Sequence, residues 1–230
     1  YMNDNELQKA KECITPALTN PKTKMLAYAY NVAGTIDSKI LQPEIEKAAA
    51  KQELDTTLFI NSLYSAVDNF VQSDKYDLAP NEKGKVKSEY HQNNRKMVMQ
   101  MLTYFAYAGQ FENQRGNKKA AYEAFGKCME APKLPVFTKT ETDSIYASNK
   151  DLYNRIGYYA TLLANDMKDY DAVLKTVDFA IADPSSRGDG YMLKLAALLA
   201  KKDTAEWVKV SREAVAVIDD NPNYCNNLLY

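Results

Sequence analysis

Glycine and proline are scarce in this chain, eight of each in 230 residues. That excludes a turn-dense β-protein, because closely spaced short strands need such breakers between them. Cysteine is scarcer still. Cys13, Cys128 and Cys225 lie far apart and are odd in number, so neither a disulfide framework nor a zinc site is implied. His91 is the single histidine, in the polar stretch Glu89-Tyr90-His91-Gln92-Asn93, where a solvated helix position is expected. No run of 18 apolar residues exists, so no segment reads as a transmembrane helix. Neither sign of charge dominates. A formal net charge of -1 and a pI near 6.0 lack the basic excess of nucleic-acid modules, and no nucleic-acid partner is expected.

What is abundant is tyrosine, 17 residues, and helical periodicity. Asn3 with Glu6 has the spacing of a capping pair. The stripe Ala10, Cys13, Ile14, Ala17, Leu18 follows, with Pro16 expected to kink or end that helix. A second helix is predicted over about Pro21–Ser38, and Pro43 opens a short one through Lys51. Phe59, Leu63, Ala66, Val67 and Phe70 form an i, i+4, i+7, i+8, i+11 face, broken by a polar stretch at 72–87 that contains Pro80 and Gly84. One long helix is predicted over Ser88–Gln114, its core face marked by Met97, Met101, Tyr104, Phe105 and Ala108. Asn117 is expected to cap the next. After a second connection at 132–144, with a β-like run at Leu134–Thr138, come helices at about Ser144–Asp166, Asp169–Asp183, Gly188–Lys201 and Thr204–Asp219. The class is all-α.

A small residue, an alanine about a dozen positions later and a proline about a dozen after that occur as Gly109, Ala121, Pro132 and again as Ala160, Ala172, Pro184. Leu195–Pro222 repeats the order loosely. Two antiparallel helices touching through small side chains, closed by proline, fit that spacing. With Asp169-Tyr170-Asp171-Ala172, Ala182-Asp183-Pro184 and the partner face Ile156, Tyr159, Ala160, Leu163, the chain resembles the tetratricopeptide repeat (TPR) family over residues 100–222. Ala172 and Trp207 are 35 residues apart, close to the ~34-residue period of that family. Ala121 and Ala172 are 51 apart, so 132–144 reads as an inserted loop. The resemblance implies a right-handed helical solenoid of antiparallel pairs over residues 1–230. Its repeats would be irregular in 1–87 and clearer in 88–230. Such a solenoid is a surface for holding a protein or peptide. Residues Asp77–Lys87, with Tyr158-Tyr159-Ala160 and Asp203-Thr204-Ala205-Glu206-Trp207, also resemble exported bacterial TPR proteins of unassigned function. That implies an extracytoplasmic site, periplasmic or outer-membrane associated.

In a TPR-like array the first helix of each pair lines the concave face. Placed from Gly109 and Ala160, that face presents Thr103, Gln110, Asn113, Gln114, Asn154, Thr161 and Asn165. Amides donate and accept together, so the row could hold a peptide backbone or sugar hydroxyls; the alternative is ordinary solvated helix residues. The clamp that captures acidic peptide C-termini needs a lysine where Ala106 or Gly157 stands, so that ligand is not expected. Lys83, Lys85 and Lys87 around Gly84 make a candidate basic loop for an anionic partner or lipid head group, or a plain solvated loop beside Glu82 and Glu89. The P-loop spacing is missing there.

Nothing marks a nucleophile elbow or a chelating set, so no enzyme, metal or cofactor is expected. Glu44/Glu46, Asp143 and Asp219/Asp220 read as helix-end carboxylates. A glycan-binding module, similar to outer-membrane starch-binding lipoproteins with TPR-like helices, is the alternative, with tyrosines and Trp207 as stacking faces. Against it, Trp207 falls at a helix-packing position. The interval from Ala10 to Pro21 and the segment Pro222-Asn223-Tyr224-Cys225 to Leu228-Leu229-Tyr230 suggest half-repeats at both ends of a longer array.

Overall fold

A computed structural model describes residues 4–217. Asn3, Asp219, Asp220, Pro222, Cys225 and Leu228-Leu229-Tyr230 lie outside the described residues. Among those described, 78% are helical and none is in a strand, so Leu134–Thr138 is not β. Val136 and Phe137 of that run are buried side chains in a helical protein. The helices are α1 (Asp4–Thr19), α2 (Leu26–Ala49), α3 (Thr56–Asp77), α4 (His91–Met101), α5 (Tyr104–Gln114), α6 (Lys118–Glu130), α7 (Lys139–Ser148), α8 (Lys150–Asp166), α9 (Tyr170–Ala182), α10 (Arg187–Ala200) and α11 (Thr204–Val217). The described residues form two compact units, 4–108 with 132–142, and 109–131 with 143–217.

In the first unit, α2 packs on α1 and α3, and α3 packs on α4. The predicted stripe of α3 is its core face, with Phe59, Leu63, Ala66, Val67 and Phe70 all at most 2% exposed. Burial of each large side chain stabilises by about 1.5–3 kcal/mol. One proline, Pro43, departs from expectation. Pro16 and Pro43 both lie inside helices, and α2 is one helix where two were predicted. Flanking contacts keep α2 continuous. Gly34 lets α2 approach the Phe70 ring, and Ile36, Ile40 and Leu41 are buried in the turns that lead into Pro43. Just beyond Pro43, buried Glu44 accepts from the Asp55 N–H (2.7 Å) and from Lys47 (2.7 Å). That ties the end of α2 to the start of α3. Asp55 caps α3 through the Thr57 and Leu58 N–H groups, a contact of about 1 kcal/mol.

The helix α3 also runs on into the polar stretch, as far as Asp77. Ser73, Asp74 and Asp77 are buried there because each has a partner. Ser73 donates to the Ala27 carbonyl and accepts from Asn94, which in turn accepts from Asn31. Asp77 accepts from the Ser88 hydroxyl and from the N–H groups of Glu89, Tyr90 and His91. It thereby caps α4 from another helix. The single helix predicted over Ser88–Gln114 is two helices, since at Leu102–Thr103 the bonding shifts to i→i−3 (Leu102 to Met99, Ala106 to Thr103).

The second unit is a run of neighbours: α6 packs on α8, α8 on α9, α9 on α10 and α10 on α11. Its regularity lies in the turns. Gly116, Lys168 and Lys202 each take a positive φ, 78°, 58° and 60°. Each donates its N–H to the carbonyl three residues back, and the next N–H reaches five back. Lys51, after α2, does the same at φ 54°. This closure satisfies orphan carbonyls and reverses the chain. Lys168 and Lys202 are 34 residues apart, one two-helix unit. Asp169 and Asp203 then cap α9 and α11 through the Ala172 and Glu206 N–H groups. Asn117 occupies the same place before α6 but makes no capping bond; its amide donates to Glu112 instead. The predicted inserted loop is largely structured too. A 3-10 turn at Ala131–Lys133 precedes α7, and Thr138 with Glu141 forms a reciprocal capping box at its start.

Candidate functional site

A groove of about 370 Å³ opens in the second unit between the end of α5, α6 and α8. Its position follows from close packing at one point. A Cβ on Gly109 would lie 2.4 Å from the ring of Phe125, so glycine alone lets α5 sit against that ring. Beyond Gly109, the exposed side chains of Gln110, Asn113 and Gln114 form one wall. Phe125, Tyr159, Leu162 and Leu163 form an apolar floor, and Asp166 stands at the rim. The Phe125 and Tyr159 rings are 6.2 Å apart and tilted by 35°. Asp166 is bridged by Lys118 at 3.0 Å, an exposed pair contributing no more than about 1 kcal/mol.

Three of the seven residues assigned to a concave face by sequence, Gln110, Asn113 and Gln114, therefore meet in one groove. The others do not join them. Thr103 is exposed at the break between α4 and α5, in the first unit. Asn154 is buried, and Thr161 is fully buried, bonded to the Gly157 carbonyl and to Thr176 of α9 at 2.9 Å. Asn165 is half-buried and outside the lining. The physical reason is rotation. Asn154, Thr161 and Asn165 sit one residue, about 100° of helix, from the face that opens to the groove. That face carries Tyr159, Leu162 and Asp166. The absence of a clamp lysine also has a steric cause, since a Cβ on Gly157 would meet the Phe179 Cβ at 2.3 Å.

In the first unit, the candidate basic loop is exposed but built. Asn81 Oδ1 accepts from the Lys83 and Lys85 N–H groups, the Asn81 N–H donates to the Lys85 carbonyl, and Gly84 takes φ 72°. Lys87 pairs with Glu89 at 2.9 Å. His91 departs from the solvated position expected of it. Its Nδ1 lies 2.7 Å from buried Asp74. Burial pushes the Asp74 carboxyl above its ordinary range, with the His91 contact opposing. At Asp77, burial acts in the same upward sense, but the donors from Glu89, Ser88, Tyr90 and His91 outweigh it and hold that carboxyl below its ordinary range. Sequence reading missed this pair. The signal was two aspartates three apart at a helix end that faces the only histidine.

Among the described residues no hydroxyl or thiol hydrogen-bonds the His91 ring, and no cluster of three or more His, Cys, Asp or Glu could hold a metal. No described helix is long and apolar enough to cross a membrane. Trp207 packs against the cluster of Tyr191, Leu195, Leu198, Val210 and Ala214, so its ring serves helix packing. No protein-family model matches the chain, and no curated protein matches it in sequence.

Proposed function

We propose that this protein is a non-enzymatic scaffold built as a TPR-like, right-handed helical solenoid, and that the groove of the second unit holds an extended segment of a partner protein. The observation that carries this reading is the pairing of an amide wall with an apolar floor. Gln110, Asn113 and Gln114 are exposed along one side, and Tyr159 and Leu162 are 42% and 37% exposed along the other. Amides supply both donor and acceptor to an extended backbone, while the floor takes an apolar anchor side chain. The 34-residue recurrence of one turn supports the repeat architecture. An extracytoplasmic location rests on the resemblance of residues 77–87 to exported proteins.

The test is capture. Replacing Gln110 with a photo-crosslinking residue in the full chain, and irradiating cells that express it, is expected to yield a discrete partner adduct. The adduct should weaken in Leu162→Asp and Asn113→Ala variants. An adduct unchanged in both variants, or none above background, removes the groove from the reading. Cell fractionation of the same strain checks the compartment.

A further inference from the structure

We infer that the depression beside the 81–87 loop of the first unit binds one acidic sugar residue, a hexuronate ring within a glycan chain. The depression holds about 200 Å³, below the size of sites that enclose whole small molecules and suited to a single ring of a longer chain. Its walls are aromatic. Tyr28 is 50% exposed and Tyr76 38%, and both line it together with Tyr90. Tyr76 is backed by Tyr30, stacked at 5.6 Å with an interplanar angle of 8°. Tyr28 is set against Tyr90 at 6.3 Å. These rings are held in place and partly open to solvent, the arrangement in which an aromatic face packs on the C–H face of a pyranose.

The charges decide which sugar. Of the two carboxylates at the site, Asp77 is occupied by Ser88 and three backbone N–H groups. Glu89 is paired with Lys87. Lys85 lines the depression and has no carboxylate partner among the described residues. Asp77 keeps its negative charge, but both of its oxygens are taken up by those donors, and Lys85 is the one cation of the lining without a carboxylate within ion-pair distance, on a loop fixed by Asn81 and Gly84. Asn81 gives its Oδ1 to that loop, which leaves its amide N–H groups to donate to a ligand oxygen. One ammonium and one amide match a carboxylate. A phosphate dianion would draw on several convergent donors, and Lys83 lies outside the lining while Lys87 is in an ion pair. This site is independent of the peptide groove, which lies in the other unit.

Calorimetric titration of the full chain with trigalacturonate tests the assignment. Binding is expected at low salt, weakening as salt rises. Lys85→Ala and Tyr28→Leu should each lower affinity about tenfold or more, about 1.4 kcal/mol, while Lys83→Ala leaves it unchanged. Circular dichroism confirms that each variant is folded. The neutral trisaccharide of galactose should bind at least tenfold more weakly. The inference is overturned by no binding of trigalacturonate, by equal binding of the neutral sugar, or by indifference to Lys85→Ala. It is equally overturned if phosphatidylglycerol vesicles bind the chain in a way that Lys83→Ala and Lys85→Ala weaken alike and Tyr28→Leu does not.

Discussion

Gly157 on α8 faces Phe179 on α9 so closely that a Cβ there would stand 2.3 Å from the Phe179 Cβ and 2.6 Å from its Cγ. Gly109 faces Phe125 differently, since its added Cβ would meet ring atoms at 2.4 Å and no backbone-proximal carbon. The two glycines therefore fail in distinguishable ways when filled.

Gly157→Ala and Gly109→Ala should each destabilise by about 1–3 kcal/mol through overpacking, seen as a lower urea midpoint. The double variants separate them. Removing the ring in Gly109→Ala/Phe125→Ala relieves the clash, so the pair should be at least about 1 kcal/mol less destabilised than the sum of the singles. Gly157→Ala/Phe179→Ala keeps the offending Cβ and should be close to additive.

Lys168 and Lys202 hold left-handed conformations, at φ 58° and 60°, where a side chain costs roughly 1–2 kcal/mol. Glycine removes that cost and returns part of the gain through unfolded-state entropy. Lys168→Gly and Lys202→Gly should each raise stability by about 0.5–1 kcal/mol, a thermal shift of about 2–4 °C per kcal/mol for a chain of this size. Lys168→Val, β-branched at the same φ, should lower it. If Lys168→Gly were no more stable than Lys168→Val, the turn would not be strained as described.

Asp77 links stability to acid. Its carboxyl sits below the ordinary value of 3.8 when folded, so its contribution is complete above that value and is lost as pH falls through the depressed folded pKa. Asp74 works in the opposite sense. Its folded pKa is raised, so its ionisation disfavours the fold as pH rises from 3.8 through that raised pKa. Asp77→Asn should cost about 1–3 kcal/mol at neutral pH, the effect of losing hydrogen bonds to a charged acceptor. It should also flatten the acid limb of a stability–pH profile, whereas Asp74→Asn leaves that limb in place.

Cys128 is 1% exposed and its thiol is pushed up to about 12 by burial, whereas Cys13 is exposed. The thiolate is the reactive form. Iodoacetamide followed by peptide mapping should label Cys13 within minutes and Cys128 only after denaturation. Equal labelling of both in the native protein would mean that the α6 core opens.

The architecture was legible because its signals are local. The α3 stripe from Phe59 to Phe70 recurs at helical intervals within one helix and is buried as that spacing predicts. Helices α9, α10 and the described part of α11 fall within two residues of their predicted starts. What escaped was set by partners distant in sequence. Asp77 draws its donors from residues 88–91, which carries α3 past its predicted end and begins α4 late. Glu44 reaches Asp55 across the turn that follows α2, and the helix persists through Pro43. His91 looked solvated because its neighbours in sequence are polar, yet its ring partner is Asp74.

The candidate site divides in the same way. Amides at Gln110, Asn113 and Gln114 were found from helical spacing counted onward from Gly109. On α8 the same counting selected Asn154 and Thr161, and the helix presents Tyr159, Leu162 and Asp166 to the groove instead. A rotation of one residue about a helix axis is invisible to periodicity when both faces mix polar and apolar residues. By itself the sequence determined an all-helical fold, since apolar periodicity acts within a few turns of a single helix. Only the tertiary structure decided which face of α8 opens to the groove and which polar side chains are buried, because both depend on partners from other helices.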